Sequence, residues 1–133
     1  MRLLLDTHIW LWSLLEPKKL SSRVSHALES PANELWLSPV SIWEFFMLAR
    51  KKRIVPDADP DQWLKKAKAA APMLEATFTH QVAIESGKLE LPHKDPADYF
   101  IVATARVFDL TLVTADEALL KSRAVRMLSN RGR

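Results

Sequence analysis

Four acids stand at positions where a carboxylate needs a reason: Asp6, Glu44, Asp98 and Asp116. Asp6 cuts off the run Leu3-Leu4-Leu5, and its simplest role is to cap the helix that follows. Glu44 lies within the helix expected over 39–52, PVSIWEFFMLARKK, where Ile42, Phe45, Phe46 and Ala49 form one apolar stripe and Val40, Met47 and Leu48 form a second beside it. A carboxylate buried in that setting is destabilising by roughly several kcal/mol unless it finds a cation or a metal. Ser41-Ile42-Trp43-Glu44 fits an S-x-x-E capping box, but Ser38-Pro39 is the better helix start and leaves Glu44 in mid-helix. Asp98 shares its helical face with Ile101, Val102 and Ala105. The helix dipole explains an acid in the first turn, but not one on the buried face. Asp95, just before Pro96, reads as the N-cap. Thr114 and Glu117 spell a T-x-x-E box, which leaves Asp116 over at the second helical position, just past an apolar strand.

Several carboxylates drawn into one crevice repel one another unless a cation joins them. The chain has no cysteine, and His8, His26, His80 and His93 show no metal-ligand spacing. The shell that remains is all oxygen, which suits Mg²⁺ or Mn²⁺. Such a cation activates water and clamps a phosphate during in-line displacement. Glycine-rich nucleotide cradles are excluded, because the only glycines are Gly87 and Gly132.

The elements that must position these acids alternate between short apolar strands and helices. Strands are expected at 3–5, 35–37, 73–78, 111–113 and 125–128. Helices are expected at 8–15, 21–29, 39–52, 61–71, 80–86, 96–108 and 115–121. A loop at Pro56, Asp57, Asp59 and Pro60 precedes the fourth helix. This order predicts an α/β fold with a mainly parallel sheet of five strands covered on both faces. Ligands of such folds bind beyond the carboxyl ends of the strands, at the topological switch point, and Asp6 sits at one such end.

With 133 residues, 48% apolar and 26% charged, the chain has the size and balance of one ordinary globular domain. No stretch approaches the roughly 18 apolar residues of a membrane span, and the opening leucines stop too soon for a signal peptide; a cytoplasmic location is expected. The formal charge of +3 gathers at Lys18-Lys19, at 50–53, at Lys65-Lys66 with Lys68, and in the tail from Lys121. Such clusters suit phosphates and equally suit solvated helix ends.

The segments DTHIWLW, SIWEFFMLARKK, LPHKDPADYFIVATA and LTLVTADEALL, in this order and spacing, resemble the PIN domain, and within it the VapC toxins of bacterial toxin–antitoxin pairs. The resemblance spans almost the whole chain. It implies an α/β/α sandwich and a Mg²⁺- or Mn²⁺-dependent endoribonuclease, a homodimer neutralised by a cognate antitoxin. Asp6, Glu44, Asp98 and Asp116 match the metal-binding, catalytic acids, with Thr114 and Asp95 in supporting roles. Tyr99 departs from the pattern, standing where similar proteins usually carry arginine, a change that touches substrate contacts rather than the metal site. Two other readings compete. In a haloacid-type phosphatase or receiver-like phosphoacceptor Asp6 would be the nucleophile, but Asp6-Thr7-His8 supplies no second acid. In a non-catalytic binding module the acids would only cap helices, which leaves Glu44 unexplained.

Overall fold

The computed structural model describes residues 1–53, 59–92 and 95–132; His93 and the expected loop residues Pro56 and Asp57 lie outside them. Five strands form one sheet: β1 (Arg2–Leu5), β2 (Glu34–Leu37), β3 (Leu74–Glu75), β4 (Thr111–Thr114) and β5 (Met127–Ser129). Every pairing is parallel, and the order is β3-β2-β1-β4-β5. The chain builds outward from β1 in one direction, then returns to its other side with β4, so the switch point lies between β1 and β4.

Seven helices cover both faces among the described residues: α1 (Thr7–Leu15), α2 (Ser22–Glu29), α3 (Pro39–Arg50), α4 (Pro60–Ala70), α5 (His80–Ser86), α6 (Pro96–Phe108) and α7 (Glu117–Ser122). The sandwich follows from the alternation of side chains along a strand. Leu3 and Leu5 point into one apolar cluster with Ile9, Trp10, Val24, Phe45 and Trp63. Leu4 points into the other, with Val82, Ile101, Val102, Leu112 and Leu119. All three leucines are fully buried, which is why β1 reads as an unbroken apolar run. Ser38 caps α3 through its hydroxyl to the Val40 N–H, with Pro39 in the first turn, and Asp95 caps α6 ahead of Pro96.

Three expected elements differ. The strand expected over 73–78 shrinks to Leu74–Glu75, because its partner β2 ends at Leu37, whose carbonyl takes a last bond from the Ala76 N–H. The last strand lies at Met127–Ser129 rather than 125–128, after Arg123 closes α7 in the left-handed conformation. The T-x-x-E box at Thr114 does not form. Asp116 is itself the N-cap, accepting from the Leu119 N–H, so α7 begins at Glu117. Thr114 stays in β4, and its hydroxyl turns to other partners.

The tightest aromatic packing fastens α1, α3 and α4 to one face. Phe45 stacks on Trp63 at 4.8 Å, meets Trp10 edge-on at 6.2 Å and touches Phe46 at 5.1 Å. Phe45 is fully buried, so Phe45→Ala should destabilise the chain by about 3–5 kcal/mol through lost contacts and the cavity left behind. Urea denaturation of both proteins checks this, and a loss under about 1 kcal/mol would mean the cluster is not part of the core.

Candidate active site

The β1–β4 register carries directly into the site. Leu3, Leu4 and Leu5 pair with Thr111, Leu112 and Val113, and the Asp6 N–H continues the ladder to the Val113 carbonyl at 2.9 Å. One step on, Asp6 and Thr114 stand side by side. The Thr114 hydroxyl donates to Asp6 Oδ2 at 2.7 Å and accepts from the Asp116 N–H at 3.0 Å. The other Asp6 oxygen accepts from the Thr7 N–H at 2.9 Å. Asp6 is thus the cap of α1 and also a member of the site.

Glu44 is joined through Thr7, a residue the sequence reading left unassigned. The Thr7 hydroxyl donates to Glu44 Oε1, and Ser41 lies 2.8 Å from the same Thr7 oxygen. Thr7 has one proton and spends it on Glu44, so Ser41 donates to Thr7. Thr7 and Ser41 are both buried. The spacing Ser41-x-x-Glu44 was a usable signal: it puts both side chains on one face of α3, as partners of Thr7 rather than as a capping box.

A cleft of about 330 Å³ is lined by Asp6, Glu44, Asp95, Asp98 and Asp116, with Thr7, His8, Trp12 and Ala115. All four expected acids therefore meet in one place. Asp95 joins them while capping α6 through the Ala97 N–H at 3.1 Å. Tyr99 does not line this cleft; its hydroxyl lies 3.3 Å from the Leu91 N–H and its ring packs on the other cluster. A larger hollow of about 370 Å³ beside Trp10, Ile42 and Met73 is mainly apolar and has one carboxylate, Glu75, so the acids gather in the smaller cleft. Among the described residues no three potential ligands are close enough to form a ready-made metal cage. The acids surround a space rather than close around a point. That arrangement fits a cation that keeps several of its waters and takes few protein ligands.

Electrostatics set this cleft apart. Burial first, and then the charges of Asp6, Asp95, Asp116 and Glu44, together raise the Asp98 pKa to about 8. Asp6 is also raised, first by burial, against the pull of the Thr114 and Thr7 hydrogen bonds. Glu44 is raised by burial and by Asp6 and Asp95, against the Thr7 hydroxyl. Carboxyls pushed upward together by burial and by one another mark a site built for positive charge.

The PIN domain family profile matches residues 3–124. The chain belongs to the PIN-domain family. It is 35% identical over 123 residues to Ribonuclease VapC22 of Mycobacterium tuberculosis, covering 90% of this chain and 91% of that protein. Among solved structures, VapBC2 from Rickettsia felis bound to a promoter DNA fragment superposes with a TM-score of 0.73 at 17% identity, covering 97% of this chain and 98% of that one. A toxin–antitoxin complex from Klebsiella pneumoniae gives 0.66 at 22% identity, covering 96% and 97%. These two likenesses establish the PIN fold of the sheet and its helices.

The raised carboxyls make this PIN domain's metal-free stability depend on pH. Asp98 ordinarily titrates near 3.8 and in the fold near 8, so between those values the folded state binds more protons than the unfolded one. Stability from this group is present at low pH and lost as pH rises through that window. In EDTA, wild-type melting temperature should fall relative to that of Asp98→Asn between about pH 5 and pH 8. Parallel melting curves for the two proteins would refute this burial-driven coupling.

Proposed function

We propose that this PIN domain is a metal-dependent endoribonuclease that hydrolyses RNA phosphodiester bonds as the toxin of a toxin–antitoxin pair. The observation that carries the reading is the cleft of five carboxylates at the switch point of the parallel sheet, with three of them shifted toward the protonated form. The ribonuclease relative and the toxin–antitoxin complexes of the same fold support it. By the same likeness the partners are an RNA substrate and a cognate antitoxin; a cytoplasmic homodimer is part of the same proposal. No helix among the described residues is long and apolar enough to cross a membrane.

Asp6, Glu44, Asp98 and Asp116 are the residues that would hold Mg²⁺ or Mn²⁺, directly or through water. Their donors are all oxygen, the chemistry that hard divalent cations require. When bound, the cation supplies a Lewis acid that polarises the scissile phosphate and lowers the pKa of a water molecule. The protein's own part is orientation. Thr114 and the Thr7 N–H hold the two oxygens of Asp6, and the Thr7 hydroxyl holds Glu44, so each carboxylate meets its ligand without first ordering a side chain. His8, next to Asp6, is exposed, and its imidazole, when protonated, favours the ionised forms of Asp6 and Glu44. A phosphatase that uses Asp6 as nucleophile is disfavoured by the PIN-domain match and the ribonuclease relative.

RNA cleavage should require Mg²⁺ or Mn²⁺ and stop in excess EDTA; full activity in EDTA would refute the proposal. Asp98→Asn should abolish cleavage. Asp95→Asn should retain it, since asparagine caps a helix about as well as aspartate, and the reverse pattern would exchange the two roles. Mg²⁺ should raise the melting temperature of wild type more than that of Asp6→Asn, because a cation bound only by the folded chain shifts unfolding.

A further inference from the structure

The acidic cleft is suited to the scissile phosphate and hostile to its neighbours. A single strand carries a negative charge at every nucleotide, and five carboxylates line this cleft, so the flanking phosphates need another place. His8 and Trp12, one turn apart on α1, line the cleft and also line an adjoining groove of about 610 Å³. The groove differs in charge: Lys19 and Arg53 line it, against the single acid Glu16. Both cations are exposed. The 3₁₀ turn Pro17–Lys19 carries the chain back along α1, so that the Lys19 ammonium sits 5.4 Å from the centre of the Trp12 ring. The His8 ring lies 5.8 Å from the Trp12 ring, one turn earlier on the same face of α1, tilted by 56°. Half-buried Trp12 packs its body on the core cluster behind it, which fixes a flat aromatic surface between the acids and the cations.

A cationic groove with an anchored aromatic ring is the arrangement that holds single-stranded nucleic acid without reading its sequence, bases packing on the ring and phosphates meeting the cations. We infer that this groove is the subsite for the RNA flanking the cleavage point, with a base packed at Trp12 and His8 and the adjoining phosphates at Lys19 and Arg53. The inference rests on the ribonuclease reading and adds where the strand lies. The geometry also assigns a role to Glu16. It pairs with Lys19 at 2.8 Å, and since an exposed pair of this kind is weak, an incoming phosphate competes with it for the ammonium. Glu16 therefore limits affinity, and Glu16→Gln should strengthen RNA binding.

The test measures binding and cleavage separately. Fluorescence anisotropy with a short labelled single-stranded RNA of mixed sequence, in Mg²⁺ and on the Asp98→Asn background, reads affinity without turnover. Trp12→Ala should weaken binding on the order of tenfold, and Trp12→Phe should restore most of it. Lys19→Ala and Arg53→Ala should each lower the slope of log affinity against log salt by about 0.7. The two cation variants alter exposed side chains only, so they decide the matter even if Trp12→Ala fails to fold. Wild-type cleavage of the same RNA is followed in parallel. If wild type cleaves RNA while the Trp12, Lys19 and Arg53 variants bind with unchanged affinity and salt slope, the subsite is overturned, the nuclease stands, and the groove is left to a protein ligand. If wild type neither binds nor cleaves RNA with either cation, the ribonuclease reading falls and takes the subsite with it.

Discussion

The parallel pairing of β1 with β4 is the constraint from which the rest of the structure follows. It closes the switch point, because the chain reaches β4 only after laying β2 and β3 on the opposite side of β1. Its register sets Asp6 beside Thr114. A slip of one residue would turn Leu3 and Leu5 to the wrong cluster and move Asp6 out of reach of the Thr114 hydroxyl. Burial of the three leucines on both faces penalises any such slip, so hydrophobic packing determines where the first carboxylate stands.

That packing is also what allows the site to be uncomfortable. Burial and mutual repulsion raise Asp6, Glu44 and Asp98 together, a strain that the apolar clusters and a few well-placed hydroxyls must offset. Thr7 and Thr114 have matching duties. One ties the start of α1 to Glu44 on α3, and the other ties the end of β4 to Asp6 and to the start of α7. Through these two hydroxyls, elements distant in sequence present their acids to one cleft. Such preorganisation favours ligand binding over stability, as expected of functional sites in general.

Solved structures with only 17% and 22% identity share this fold. A core specified by pattern and volume tolerates such divergence: β1 needs apolar residues on both faces, α3 and α6 each need an apolar stripe, and few positions need one particular side chain. The acids are different in kind, since their value lies in charge and position, and no apolar substitute supplies either.

Much of this was legible in the residues themselves. Period and punctuation are local properties, so Ser38-Pro39 and Asp95-Pro96 marked the starts of α3 and α6, and Leu3-Leu4-Leu5 marked a strand buried on both faces. The oddity of Glu44 in an apolar helix and of Asp98 on a buried face singled them out, because burying charge is costly enough to need a cause. What the chain could not reveal locally were the partners across space. Thr114 satisfies a capping-box pattern on paper, yet in the fold its hydroxyl goes to Asp6 and Asp116 takes over the cap. Thr7 looks unremarkable until α3 packs against α1 and brings Glu44 and Ser41 to it. The edge strand β3 stops at Glu75 because its partner β2 ends at Leu37. Hydrogen-bond choice and strand length depend on which neighbours tertiary packing supplies, and so only the folded chain decided them.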